Sequence, residues 1–357
     1  MEAYYLIDPK NLDRTPPTAN YFRQAWAFCC DWAAGQNSFI RHTSGSTGAP
    51  KPIELSRNQF IASAKASQQA LGLESDQTAL VCLNINYIAG TMMLVRGMGI
   101  GLKMVVVEPS SDPLATLPAD VSIDFAAFVP LQLQTMFENG HAARLNAFKT
   151  IIVGGAAVNA TLAAQLQTFS AAVFSTYGMT ETVSHVALQR LNGAEKSDFF
   201  QLLPKIETST DERGCLRLRG AVSNHDWVQT NDVVEFIDNQ HFKITGRADN
   251  IINSGGVKIQ LEKVERAIEK VASELGLTNR FFAWHQPHDR LGQQLVLVVE
   301  NSKNIPDLES LKTALTNELT PYEIPKIIIS VEKFIETPTA KIDKGSTFAA
   351  RLLEPSP

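Results

Sequence analysis

Cysteine is scarce in this chain and poorly placed for chemistry. Its four cysteines are Cys29, Cys30, Cys82 and Cys215, and the only close pair is adjacent, so no zinc-ligand spacing exists. Reduced thiols in a cytoplasmic protein are the natural reading. A basic excess is also lacking: the formal net charge is -5, and the lysines and arginines are scattered rather than clustered. Nothing there attracts nucleic acid, and no nucleic-acid partner is expected. Long apolar runs are missing too. The most hydrophobic stretch, residues 91–107, is interrupted by Arg96 and Lys103. The opening MEAYYLIDPKNL has no basic segment leading into an apolar one, so neither a membrane span nor a signal peptide is expected. Internal repeats and low-complexity segments are absent.

With 357 residues and 44% hydrophobic content, the chain exceeds the size at which single cores usually split, and two domains are expected. Residues 79–83, 104–107, 126–129, 150–153 and 172–174 read as buried strands, with helical patterns such as 59–71 and 131–137 between them. This alternation predicts an α/β fold, a large N-terminal domain with mostly parallel sheets covered by helices. Gly154, Gly155 and Ala156 follow one predicted strand and Tyr177-Gly178 another, at the carboxyl ends where such sheets bind ligands. The character changes after Gly246. Leu261, Val264, Ile268, Val271 and Leu275 recur at helical spacing, followed by strands at 281–285 and 295–300, a helix through Leu308, Leu311, Leu315 and Leu319, and a strand at 326–331. With 257–259 first, the order β-α-β-β-α-β predicts a small C-terminal α+β domain, and the boundary is placed at Asp249, giving 1–248 and 249–357.

The segment RHTSGSTGAPKP, residues 41–52, packs hydroxyls, glycines and one lysine into a loop suited to polyphosphate. Thr43, Ser44, Ser46 and Thr47 can donate hydrogen bonds, Gly45 and Gly48 admit close approach of backbone N–H groups, and Lys51 supplies positive charge. A Walker loop would have glycine before the lysine and Ser or Thr after it; Pro50 and Pro52 stand there instead. Four further motifs follow in order: Tyr177-Gly178-Met179-Thr180-Glu181-Thr182, Trp227-Val228-Gln229-Thr230-Asn231-Asp232, Gly246-Arg247-Ala248-Asp249 continuing to Ser254-Gly255-Gly256, and Thr337-Pro338-Thr339-Ala340-Lys341-Ile342-Asp343-Lys344. As an ordered set these resemble the adenylate-forming superfamily of acyl-CoA synthetases, luciferases and peptide-synthetase adenylation domains. Asn231 and Ala340 stand where that family usually has glycine.

The resemblance implies an AMP-forming acid–thiol ligase. A carboxylate attacks the α-phosphate of ATP, and a thiol, here CoA, then attacks the acyl adenylate. Thr43, Ser44, Gly45, Ser46, Thr47, Gly48 and Lys51 would cradle phosphate. Gly155, Ala156, Tyr177, Gly178, Asp232 and Arg247 would hold the nucleotide, with Tyr177 stacked on adenine and Asp232 on the ribose. Thr180 would meet phosphate, Glu181 would help hold Mg2+, and Lys341 would neutralise charge in the first step. Asp249 is the expected hinge of a mobile C-terminal domain, and Gly255 and Gly256 are expected beside CoA or in a simple turn. Taken singly, Tyr177, Glu181, Asp232, Arg247 and Lys341 each have an ordinary structural reading as well.

The phosphate loop begins near residue 43, earlier than the family norm, which implies an N-terminal portion shortened at its start. Tyr177 through His185 resembles the YGMTETxSQ segment of the o-succinylbenzoate–CoA ligases of menaquinone synthesis, with His185 in place of glutamine. Tyr87-Ile88-Ala89-Gly90 followed by Arg96 resembles their HxxG segment with its downstream arginine, with Tyr87 in place of histidine. Tyr87, Arg96, Gly154, Ser184 and His185 are therefore candidates for the acyl pocket, Arg96 as a cation for a second carboxylate. Arg96 could equally snorkel from a surface helix, and His185 could be a core histidine. A ligase for another aryl or fatty acid, and a degenerate nucleotide-binding protein, are the alternative functions. A homodimer is left open as a partner state.

Overall fold

The computed structural model describes residues 3–42, 52–275, 280–300, 308–337 and 342–351. The expected phosphate loop from Thr43 to Lys51, and Lys341, lie outside the described residues.

Five strands form a parallel block: Lys103–Val106, Thr78–Val81, Phe125–Phe128, Thr150–Val153 and Ala172–Gly178, in that spatial order. Phe125–Phe128 and Thr150–Val153 are buried at every position, as strands covered on both faces must be. Alternate residues feed two separate cores. Ala79, Val81, Met104, Val106 and Phe125 face one layer, while Leu80, Val105, Ala126 and Phe128 face the other. Tyr5–Ile7 closes one edge antiparallel to Lys103–Val106. Beyond Ala172–Gly178 the sheet changes character and continues antiparallel through His185–Arg190, Phe200–Leu202, His241–Arg247, Val228–Phe236, Cys215–Arg219 and Glu207–Thr210, making twelve strands in all.

Two helices carry residues that matter below. Arg57–Leu71 starts at a capping box, in which the Gln59 backbone N–H donates to Ser56 Oγ and the Ser56 N–H to Gln59 Oε1, and it ends at Gly72 in the left-handed region. Ile88–Arg96 is buried from Gly90 onward and runs into a π turn at Gly97–Gly101, the kind of irregularity often found at functional sites. The hairpin Ser38–His42 with Pro52–Ser56 brackets residues 43–51.

A second sheet orders Val257–Gln260, Ile251–Ser254, Gly292–Glu300 and Phe281–His288, with Ile328–Val331 parallel to Gly292–Glu300. Helix Leu261–Glu274 packs Leu261, Val264, Ile268 and Val271 into its core, where Leu311, Leu315 and Leu319 also lie. The helix stops at Glu274, so Leu275 leaves the apolar stripe predicted for it and is 51% exposed. Ile251–Ser254 and helix Lys344–Arg351 were not expected from the sequence. The chain passes from the first sheet to the second through the 3-10 turn Ala248–Asn250, which contains Asp249. Across that turn Gln260 Nε2 donates to the Arg247 carbonyl (3.0 Å) and Arg266 Nη2 to the Thr245 carbonyl (2.8 Å). Among the described residues no helix is long and apolar enough to cross a membrane.

Candidate active site

Strand Ala172–Gly178 brings Tyr177 beside Val228–Phe236, which carries Asp232. The Tyr177 hydroxyl donates to Asp232 Oδ2 (2.7 Å), and Arg247 Nη1 donates to Asp232 Oδ1 (2.8 Å). Arg247 also grips Asp249 with two bonds, Nε to Oδ1 (2.9 Å) and Nη2 to Oδ2 (2.7 Å). Three sequence motifs thus meet in one polar chain that ends at the turn between the sheets, Tyr177 and Asp232 coming from positions 55 residues apart. Tyr177 is only 8% exposed, with its ring edge-on to Phe242 and tilted against Phe200. Burial foremost, then the charge of Asp232, pushes its phenol far above the ordinary range and keeps it a donor. Burial raises the Asp249 carboxyl, but the hydrogen bonds and charge of Arg247 outweigh it and hold it below its usual value. Asn231, in the place where glycine was expected, donates to Asp249 Oδ2 (3.3 Å) and accepts from Arg213 Nη1 (3.1 Å).

A cavity of about 460 Å3 opens at the carboxyl ends of the parallel strands. Its lining includes Tyr87, Arg96, Gly154, Gly155, Gly178, Thr180, Ser184 and His185, together with apolar walls from Phe128 and Ile152. Every residue expected at the acyl pocket therefore lines one space. Two glycines are required by packing here. A Cβ on Gly154 would lie 2.4 Å from Thr176 Oγ1, and one on Gly178 would lie 2.2 Å from the Ser184 carbonyl oxygen.

Arg96 reaches this cavity from the end of helix Ile88–Arg96, yet it is 1% exposed. Its Nη2 donates to Ser184 Oγ (3.0 Å) and to His185 Nδ1 (3.3 Å). Among the described residues no carboxylate pairs with it, and its Nε has no partner. Burial draws its pKa down to about 10, which still leaves it protonated at neutral pH. His185 is 4% exposed, and burial first, then the Arg96 charge, holds its pKa well below 6.5. A neutral ring that accepts at Nδ1 must carry its proton on Nε2, which points at Ser67 Oγ (3.0 Å); Ser67 in turn donates to the Ser63 carbonyl (2.9 Å).

Backbone strain aims Ser184 and His185. Val183 has φ 66 and ψ -52, and the Ser184 N–H donates to the Thr182 carbonyl (2.7 Å), which is a γ-turn centred on a β-branched residue. Val183 is fully buried beside Phe60 and Met92, and that packing holds the strained turn. Immediately after it, the register between Ala172–Gly178 and His185–Arg190 slips at Gly178, the bulge that turns His185 inward.

The other expected residues are placed as follows. Tyr177, Glu181, Asp232 and Arg247 lie outside the cavity lining. Glu181 sits exposed in the 3-10 turn Thr180–Thr182 beside Thr180, where one carboxylate could share a Mg2+ ion with nucleotide phosphates and water. Among the described residues no group of three or more His, Cys, Asp or Glu side chains is arranged to hold a metal ion. Ala156 is exposed outside the lining. Gly255 and Gly256, with φ 62 and 87, make the two-residue turn of the hairpin between Ile251–Ser254 and Val257–Gln260. Sequence reasoning missed Ser67. The signal was available, since it falls on the buried face of Arg57–Leu71 with Phe60 and Leu71, a polar residue in an apolar stripe.

Residues 15–206, more than half of the chain, match the AMP-binding enzyme family. The chain belongs to the AMP-binding enzyme family. This AMP-binding enzyme is 45% identical to an acyl-CoA synthetase (AMP-forming)/AMP-acid ligase II-like protein from Dyadobacter fermentans, whose crystal structure covers 97% of this chain and 99% of its own, with a TM-score of 0.67. It is 26% identical over 333 residues to the 2-succinylbenzoate–CoA ligase of Staphylococcus epidermidis, covering 85% of this chain and 68% of that protein. Its fold is also similar to that of o-succinylbenzoate coenzyme A synthetase from Bacillus subtilis in complex with ATP and magnesium, at 18% identity and a TM-score of 0.71 over 87% of this chain and 69% of the other.

Proposed function

We propose that this AMP-binding enzyme is an ATP-dependent 2-succinylbenzoate–CoA ligase, using Mg2+ with ATP and CoA as co-substrate. In the first step an acid carboxylate oxygen attacks the α-phosphorus and pyrophosphate leaves. In the second the CoA thiol attacks the acyl carbon and AMP leaves. Asp232, steadied by Tyr177 and Arg247, is suited to accept ribose hydroxyls, and Thr180 and Glu181 stand at the strand end for phosphate and its ion. Lys341 is assigned to the charge that builds in the first step, Asp249 to the hinge dividing 1–248 from 249–357, and Gly255 and Gly256 to the CoA side. The buried free thiols fit a cytoplasmic setting, and the acid would place the reaction in menaquinone synthesis.

The observation that carries the choice of acid is Arg96. A guanidinium buried at the wall of an apolar cavity, with no carboxylate partner among the described residues, is costly unless a ligand supplies the anion. An aryl acid with a second carboxylate would satisfy it while its reacting carboxylate lies toward the nucleotide. Relatives bearing that name agree with this choice. The test is CoA-dependent AMP release over 2-succinylbenzoate, benzoate and a medium-chain fatty acid. At least about tenfold higher kcat/KM for the dicarboxylate is expected, and Arg96→Met should abolish that margin. Equal efficiency with benzoate would reject the acid and keep the ligase. No AMP release with any acid, with magnesium-dependent ATP binding still seen by calorimetry, would leave only a degenerate nucleotide-binding protein.

A further inference from the structure

We infer that His185 is a positioning residue for acid selectivity: through Nδ1 it fixes the rotamer of Arg96, and the Ser67–Ser63 pair fixes the tautomer that lets it do so. This rests on the reading that Arg96 receives the acid's second carboxylate.

An arginine has five N–H donors and no acceptor, so its orientation is set by what accepts from it. For Arg96 the described acceptors are Ser184 Oγ, His185 Nδ1 and, weakly, Met93 Sδ at 3.8 Å. Ser184 Oγ belongs to a hydroxyl that can rotate, whereas the imidazole is a rigid plane, buried and held at its far side. That far side is the relay already described, in which Nε2–H faces Ser67 Oγ and Ser67 O–H faces the Ser63 carbonyl. The relay leaves a single tautomer consistent with an acceptor at Nδ1. Inverting the ring proton would put an N–H against the guanidinium, break the bond to Arg96 and turn the Ser67 hydroxyl away from the Ser63 carbonyl. The relay also crosses the fold, because Ser67 lies on helix Arg57–Leu71 and His185 follows the strained turn at Val183. The guanidinium is thereby held before any acid arrives, which lowers the ordering cost of binding.

The chemistry required of residue 185 is an acceptor toward Arg96 and a donor toward Ser67. A glutamine amide offers both, and a leucine neither. The test uses the full chain and compares kcat/KM for 2-succinylbenzoate with that for benzoate. His185→Leu should lower the ratio by about tenfold to a hundredfold, the range for a lost hydrogen bond to a charged group, mainly through a higher KM for the dicarboxylate. His185→Gln should restore the ratio to within about threefold of the unmodified protein. Ser67→Ala should lower it by a smaller factor. Should the leucine variant not be recovered folded, His185→Asn replaces it, since its shorter amide cannot span to Arg96. An unmodified protein without preference for the dicarboxylate overturns the acid assignment and this inference with it. A clear preference that His185→Leu or His185→Asn leaves intact, or a glutamine variant as impaired as the leucine one, overturns the role of His185 alone.

Discussion

Acid should destabilise this protein through His185 in a way that one substitution removes. The ring is buried against the Arg96 guanidinium, with Ser67 and Ser184 as its other polar neighbours, so the folded state disfavours its protonated form. The unfolded chain binds that proton with an ordinary pKa near 6.5. A histidine with a depressed folded pKa adds stability above 6.5 that is lost as pH falls. While the folded ring stays neutral, each pH unit below 6.5 costs about 1.4 kcal/mol, so moving from about pH 7 to about pH 5 should cost about 2 kcal/mol at this residue alone. His285, whose pKa burial also lowers, pulls in the same direction, as do carboxylates such as Asp249 held below their usual value.

Those shared contributions cancel when two variants are compared at both pH values. His185→Gln keeps an acceptor and a donor in place and removes the titrating group. Urea unfolding of the unmodified protein and of the glutamine variant, each at about pH 7 and about pH 5, gives four free energies. The unmodified protein should lose about 2 kcal/mol more than the variant on acidification, and if the chain unfolds in two transitions the difference should appear in the one that melts the twelve-stranded sheet. Equal losses in both proteins would mean that the folded state accommodates an imidazolium beside Arg96, and the reasoning from burial would fail.

Three further outcomes are expected. Gly178→Ala would place a Cβ 2.2 Å from the Ser184 carbonyl oxygen and 2.5 Å from His185 Cα, backbone atoms that cannot swing away; it should cost about 1–3 kcal/mol in chemical denaturation and blunt the preference for the dicarboxylate, and a variant of unchanged stability would refute the packing argument. Asp249→Pro removes the carboxylate gripped by Arg247 and fixes one backbone angle; adenylate formation should survive better than thioester formation, whereas equal loss of both would make Asp249 merely structural. Lys341→Ala should slow adenylate formation roughly 10²–10³-fold while leaving conversion of presynthesised acyl adenylate and CoA to thioester near its original rate, so normal adenylation by the variant would remove the lysine from the mechanism.

The parallel half of the large sheet was legible because strands buried on both faces are written as unbroken apolar runs, as in Phe125–Phe128 and Thr150–Val153. The antiparallel half was less so, because several of its strands are only partly covered. Glu207–Thr210 has no buried residue, and Val228–Phe236 has one fully buried position in nine, so neither apolar run nor clean alternation survives. Leu275 shows the opposite failure. Its spacing continued the stripe of Leu261–Glu274, but periodicity carries no information on where a helix stops. Helix Lys344–Arg351 is mostly polar, and its start is marked by Asp343, whose Oδ1 accepts from the Ser346 N–H (2.9 Å), a cap hidden inside a motif read for chemistry.

At the site, residue types were legible and their pairings were not. Tyr177, Asp232 and Arg247 belong to three separate motifs, and only the register of antiparallel strands sets Asp232 opposite Arg247 and within reach of the Tyr177 hydroxyl. Arg96 posed a sharper choice, since a surface arginine and a buried ligand cation are spelled alike. What decides its surroundings lies 88 and 89 residues away, at Ser184 and His185, which reach it because a β-branched residue tolerates a left-handed turn and the next strand carries a bulge. Neither distortion has a sequence signature, because valine at positive φ is what propensity argues against. The polar residue Ser67 on an apolar helix face was the nearest thing to a clue. It marks where a buried hydrogen-bond chain turns back onto a helix carbonyl, and from that end the tautomer of His185 and the orientation of Arg96 follow in turn.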